Sequence, residues 1–310
     1  MSEKLSENNF TKDYEGMTQS SYGEFEKKQE RSFKNWGVAE YEGEYIDFYT
    51  NPEYIRDYFT APIIEYLEQK GINPEESEEP INIVDFGGGD GILTGELKKQ
   101  FEEKGYKNIS FVNLDYNFDN LKKTEQEVSK VQGDMKQLPI QDESVDIAVS
   151  RHTLQYSGVN EQPDMLKNIY NTLKSDSLFV MQWPGAANPE EAPVLTEFYN
   201  EITAIIMDTS IEEVSKNKYF TSFQEAKKMS EEAGFTVEDS GQCEAQLGGI
   251  TVEGFSDRFK VTEEKKQKIQ EVFERYYDQY KDDPETLNIM KDEEGDIINI
   301  MHHNYIILKK

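Results

Sequence analysis

The chain has 310 residues, enough for one large domain with additions. It carries 62 acidic against 33 basic residues, a formal net charge of −29. That balance excludes a nucleic-acid binder, which needs a basic footprint, and disfavours an anionic membrane surface. The acidity reads as a well-solvated, self-repelling surface. Apolar residues make up 36% and aromatics 12%, so a core is still expected. The single cysteine, Cys243, leaves no partner for an internal disulfide and suits a reducing cytoplasm. With only His152, His302 and His303 beside it, no metal site is expected. No secretory signal or membrane span is expected either.

Residues 1–20 are polar and expected to be disordered, and residues 21–78 are expected to form a helical N-terminal extension. Within it Tyr54, Tyr58, Ile63 and Leu67 lie near helical spacing, and Gly71 can end the last turn. "NPEESEEP" (73–80) is an acidic linker. The core begins at Ile81. Ile81, Ile83 and Val84 favour a buried strand, and Gly87, Gly88, Gly89 and Gly91 follow at once. Leu93, Leu97 and Phe101 then recur as the inner stripe of an amphipathic helix. Strand, glycine turn and helix in that order aim backbone N–H groups and a positive helix end at whatever sits above them.

Strands and helices alternate from there, the pattern of a parallel sheet. "ISFVNLD" (109–115) is a second strand, with Phe118, Leu121 and Val128 marking a weaker helix after it. "VDIAVS" (145–150) is another strand. Leu166, Ile169 and Leu173 mark a helix, and "SLFVMQW" (177–183) a further strand. Two insertions interrupt the pattern, at about 186–220 and 248–294; both are expected to be helical and to cover a site. Ser222 and Glu225 have capping-box spacing, opening a helix that ends at Gly234. A strand near 235–246 and a long last strand in "DIINIMHHNYIILKK" complete the chain. His302 and His303 are adjacent on that strand and point to opposite faces, so they are assigned no role.

Ligands of doubly wound sheets bind outside the carboxyl ends of the strands. Asp85 ends the first strand, Asp115 the second, and Asp134 follows a short strand in "VQGDMKQLP". A carboxylate at the second strand's end can accept both hydroxyls of a ribose, and an acid after the third can accept from an adenine amino group. The nicotinamide-dehydrogenase fingerprint G-x-G-x-x-G fails, because its third glycine falls on Ile92 or Thr94.

Asp85 to Gly91 ("DFGGGDG") resembles the D-x-G-x-G-x-G pattern of class I S-adenosylmethionine-dependent methyltransferases. "GDMKQLPIQDESVDIAVSRHTLQY" (133–156) and "MLKNIYNTLKSDSLFVM" (165–181) are similar to the next blocks of its small-molecule, type 11 branch, with "LKSDS" standing where "LKPGG" is usual. The resemblance implies an α/β fold: a doubly wound, mostly parallel Rossmann-like sheet with an antiparallel last strand, occupying 79–310. It implies methyl transfer from S-adenosyl-L-methionine to a small-molecule acceptor. Gly87 and Gly89 would pass beside the methionine part, Asp85 would face its ammonium, and Asp115 would hold the ribose. Asp134 and Met135 would flank adenine, with Arg151 and His152 at the boundary with the acceptor. His152 is the candidate general base if one is needed. Two rivals share the fold: an aminopropyltransferase, whose acidic segment after the fourth strand is replaced here by "SRHTLQY", and a non-catalytic scaffold.

Overall fold

The computed structural model describes residues 38–41, 44–47, 49–74, 80–243, 246–292 and 295–310. The expected disordered tail and most of the acidic linker lie outside them. Among the described residues eleven strands form one sheet: β1 (Val38–Tyr41), β2 (Glu44–Asp47), β3 (Ile81–Phe86), β4 (Ile109–Asp115), β5 (Ser129–Gln132), β6 (Val145–Arg151), β7 (Leu173–Gly185), β8 (Thr236–Gln242), β9 (Gln246–Ile250), β10 (Ile289–Lys291) and β11 (Ile297–Lys309). The order is β2-β1-β9-β11-β7-β6-β3-β4-β5, with β8 and β10 also paired to β11.

The middle of the sheet is parallel. β3 pairs with β4 and β6, β4 with β5, and β6 with β7. The inner strands carry Val, Ile, Leu and Phe and are buried almost throughout, as strands covered on both faces must be. β11 runs antiparallel to β7. Its first half therefore lies beside the carboxyl end of β7, with His303 opposite Pro184. The expected mostly parallel sheet with an antiparallel last strand is what the chain forms.

Helices follow the amphipathic stripes. Ile92–Glu103 buries Leu93, Leu97 and Phe101, and Gln162–Thr172 buries Met165, Leu166 and Ile169. Phe223–Ala233 opens on the expected capping box, Ser222 with Glu225, and closes on Gly234 at φ 110°. The two insertions are helical and pack together. Phe198 of Glu191–Met207 meets Phe273 and Tyr276 of Glu263–Tyr280, with ring centroids 5.0 Å apart in both pairs. Their apolar cluster also takes in Tyr54 and Met301, which ties the insertions to the N-terminal segment and to β11.

Three expectations need correction. The N-terminal extension is not helical throughout: residues 38–41 and 44–47 pair as the antiparallel strands β1 and β2, and among the described residues the first helix is Pro52–Ile55. Backbone pairing of β1 with β9 decides this, because it extends the sheet by two strands. The helix expected after β4 shrinks to Phe118–Leu121. Leu121 and Val128 are buried but Phe118 is 54% exposed, so the apolar stripe is too sparse to lengthen the helix. "LKSDS" is extended rather than a separate turn; β7 starts at Leu173 and passes through Asp176 at φ 59°. Among the described residues no helix is long and apolar enough to cross a membrane.

At the end of β7, Gly185 has no room for a side chain. An added Cβ would sit 2.2 Å from the backbone carbonyl oxygen of Thr221, which also accepts from buried Trp183 Nε1 at 2.9 Å. Gly185→Ala should therefore cost about 1–3 kcal/mol, read as a lowered urea midpoint; an unchanged midpoint would contradict this packing.

Candidate functional site

β3 delivers Asp85 to the carboxyl edge of the sheet and the chain then turns through glycine. Asp85 is buried, and its Oδ2 accepts from Thr94 Oγ1 at 2.7 Å. Its Oδ1 is buried without a hydrogen-bond partner. Burial pushes the carboxyl up to about 6, opposed by the Thr94 hydrogen bond and by the charge of Arg151.

The turn needs its glycines for two different reasons. At Gly87, φ is 74° and an added Cβ would fall 2.3 Å from Thr153 Cγ2. At Gly89, φ is 58° but no atom lies within 4 Å of the Cβ position, so this side of the bend opens outward. The N–H of Gly87 donates to Leu114 O at 2.7 Å, and that of Gly89 to Asp115 Oδ2 at 2.9 Å. Asn113 Nδ2 donates to Gly89 O at 3.0 Å. Both ends of the Gly89 peptide are thus clamped by β4.

Asp115, at the end of β4, faces the bend. Its second oxygen accepts from Asn117 N at 2.7 Å, and burial raises its carboxyl above the usual range. The next residue, Tyr116, is 71% exposed. The loop after β5 comes alongside, because Gly133 N donates to Asp115 O at 3.1 Å. On that loop Asp134 is exposed and caps its own turn through Lys136 N at 2.9 Å. Met135 is half-buried against the core, and its carbonyl accepts from Asn168 Nδ2.

β6 supplies the opposite wall. Thr153 sits on the glycine bend, its hydroxyl within 3.3 Å of both Phe86 O and Gly87 O. Arg151 packs against the Tyr49 ring with its guanidinium carbon 5.8 Å from the centroid, and its Nη1 is buried without a hydrogen-bond partner. Burial lowers its proton affinity, and the nearby Asp85 carboxylate opposes that.

His152 has φ 58°, which a side chain with a Cβ rarely adopts. Its N–H donates to Gln182 O at 2.8 Å and its carbonyl accepts from Gln155 Nε2 at 2.7 Å, so both neighbouring peptides are fixed. The ring is tied at both nitrogens. Nδ1 lies 3.2 Å from Tyr49 Oη, and Nε2 lies 2.7 Å from Nε2 of His303. His303 in turn meets Tyr54 Oη through Nδ1 at 2.6 Å. Gln182 Nε2 donates to Tyr54 Oη at 2.9 Å and reaches Cys243 Sγ at 3.1 Å. Burial, then the neighbouring His303 and the charge of Arg151, hold His152 neutral; burial and Arg151 push His303 down to about 3.

The structure thus places Asp85, Gly87, Gly89, Asp115, Arg151 and His152 together at the carboxyl edge of the sheet. Asp134 and Met135 stand on the adjoining loop, one exposed and the other turned toward the core. The role-free reading of His303 is corrected. Alternation does separate it from His302, but it carries the His303 ring onto His152. Sequence reasoning also missed Tyr49, Tyr54, Asn113, Thr153 and Gln182. Only Thr153 had a local signal, by adjoining the Arg151–His152 pair; the others converge through strand pairing alone.

Residues 84–181 match the family model described as a methyltransferase domain. A search of curated proteins found no match. The fold is similar to that of a candidate methyltransferase from Bacillus halodurans, at 19% identity and a TM-score of 0.55, covering 79% of this chain and 97% of that one. It is also similar to the YcgJ protein of Bacillus subtilis, at 15% identity and a TM-score of 0.55, covering 80% and 99%. Residues 84–181, about a third of the chain, therefore match a methyltransferase domain of type 11, and the chain as a whole shares the Rossmann-like fold of these two structures.

Proposed function

We propose that the chain transfers a methyl group from S-adenosylmethionine to a small-molecule acceptor. The observation that carries the cofactor reading is a pair of oppositely charged groups at the bend, each with one polar atom left without a hydrogen bond. Asp85 Oδ1 and Arg151 Nη1 are both buried and both lack a hydrogen-bond partner. Leaving such groups unpaired is costly, so they call for a ligand that offers a cation to one and an anion to the other. The ammonium and carboxylate of the methionine end fit that demand. Asp115 is placed to receive ribose hydroxyls at the Gly89 opening, and the Asp134–Met135 loop to flank the base, with exposed Tyr116 as an added aromatic wall.

When bound, the cofactor supplies an electrophilic methyl sulfonium, so the protein need only position, desolvate and, for some acceptors, deprotonate. The clamped Gly89 peptide fixes the cradle in advance. The two packed insertions serve as acceptor walls and lid. His152 is neutral and its Nδ1 meets Tyr49 Oη, so a proton from the acceptor reaches it by way of that hydroxyl, against a burial that weakens its hold on the proton.

Calorimetry with S-adenosylmethionine tests the cofactor reading. The wild type should bind it, and Asp115→Ala should lose about 10- to 100-fold in affinity, the worth of hydrogen bonds to a charged group. No binding by the wild type would favour the scaffold reading, and preference for the decarboxylated cofactor the aminopropyltransferase.

The affinity should also depend on pH through Asp85. Its folded-state value of about 6 means that it is neutral below and ionised above that pH. Only the ionised form pairs with an ammonium, so affinity should rise as pH rises through about 6 and then level off. Below it, affinity should fall about tenfold per pH unit. Asp85→Asn should bind weakly and without this dependence; a pH-independent wild type would remove Asp85 from the role.

A methyl-transfer screen over small metabolites with labelled cofactor would identify the acceptor. With that acceptor, His152→Ala should lose about 10²- to 10⁴-fold in turnover, and unchanged turnover would eliminate it as base.

A further inference from the structure

His303 lies outside the matched stretch and 151 residues from His152, yet the two rings meet edge to face with centroids 4.6 Å apart. Their Nε2 atoms are 2.7 Å apart. Two lone pairs cannot face each other at that distance, and neither can two N–H groups. One nitrogen must carry the single proton between them and the other must accept it. The tautomer of one ring is thereby locked to the tautomer of the other.

The partners beyond the pair can serve either direction: if His303 donates, Tyr54 Oη donates to its Nδ1 and Nδ1 of His152 donates to Tyr49 Oη. If His152 donates from Nε2, His303 must be bare at Nε2 and protonated at Nδ1. Nδ1 then donates to Tyr54 Oη at 2.6 Å. The Tyr54 oxygen also accepts from Gln182 Nε2, and its own proton turns to the Cys243 thiol within its reach. Each ring nitrogen and the Tyr54 hydroxyl then has a partner, Gln182 Oε1 alone among these groups being left without one, and the chain of donors ends on the Cys243 sulfur. At the other end this arrangement leaves Nδ1 of His152 bare, facing Tyr49 Oη at the half-buried edge of the site.

We propose that His303 is a positioning residue for His152: by accepting its Nε2 proton, it holds His152 in one neutral tautomer with a bare Nδ1 turned toward Tyr49. The logic is that of a base oriented by a third group, with a neutral imidazole in the orienting place. A neutral partner suits this site, because the positive charge of Arg151 already acts on both rings. The catalytic meaning of the proposal rests on the methyltransferase reading above, whereas the tautomer itself does not.

The chain has only three histidines, so six imidazole nitrogens make the whole signal. Full-length protein labelled with ¹⁵N-histidine is observed at pH 7 by long-range ¹H–¹⁵N correlation, with His302→Gln used for assignment. In the wild type, His152 should show a bare Nδ1 and a protonated Nε2, and His303 the reverse. In His303→Phe, which keeps a ring but loses the acceptor, His152 should lose its single tautomer and both its nitrogens should move to averaged shifts. His303→Gln, whose side-chain oxygen can accept, should restore the wild-type pattern. A protonated Nδ1 on His152 in the wild type overturns the proposal, as does an unaltered His152 pattern in His303→Phe. Should His303→Phe fail to fold, the wild-type and His303→Gln patterns still decide. S-adenosylhomocysteine binding within about threefold of wild type in each variant reports an intact cofactor site. Absence of that binding in the wild type would sink the cofactor reading and leave the tautomer result standing.

Discussion

The Gly89 peptide is held from both sides by one strand, and the geometry of the site follows from that clamp. Asp115 takes its N–H and Asn113 takes its carbonyl. Because both residues lie on β4, which pairs in register with β3, the bend cannot drift relative to the two strand ends. Thr153 closes the third side by seating its hydroxyl over Phe86 and Gly87. A flexible glycine run is thereby made into a rigid cradle, which is the preorganisation a positioning catalyst requires. The clamp also spends part of Asp115: two of its acceptor positions are already taken before any ligand arrives.

Much of this was legible in the residues themselves. The strand–glycine–helix unit, the parallel strands after it and the capping box at Ser222 all have short-range causes, and the structure follows them. Asp85 and Asp115 were legible for the same reason: position at a strand's carboxyl end is set by the strand. What failed to show was set by partners distant in the chain. The β1–β2 pair exists because β9 offers it an edge, and nothing within residues 38–41 and 44–47 announces that. His303 was dismissed by a correct local rule, period-two alternation, that asks only about neighbours on the same strand. Its partner came from β6, which no pattern within β11 can reveal.

Polar burial separates the two halves of the site. On the cofactor side the unmet atoms, Asp85 Oδ1 and Arg151 Nη1, are complementary in charge. On the other side the polar groups Tyr49, His152, His303, Tyr54 and Gln182 pair with one another in a chain that leaves only Gln182 Oε1 among them unmet. The first half offers unmet atoms of opposite charge, and the second is largely paired within itself. The insertions add an apolar layer over that second half, with Tyr54 belonging to both the polar chain and the apolar cluster.

The strained backbone at His152 sits inside this hydrogen-bonded chain, and the chain is contributed by distant parts of the sequence. Tyr49 and Tyr54 precede residue 84, while Cys243 and His303 follow residue 181. The segment that carries the family's motifs is therefore not a portable module. Grafted alone onto another scaffold, it would bring the cradle but leave an imidazole stripped of its lattice, exposed in a contorted backbone with nothing to hold it there. Diversification in such a protein would be expected to proceed by change at the chain's two flanks, with the motif-bearing middle left as it is.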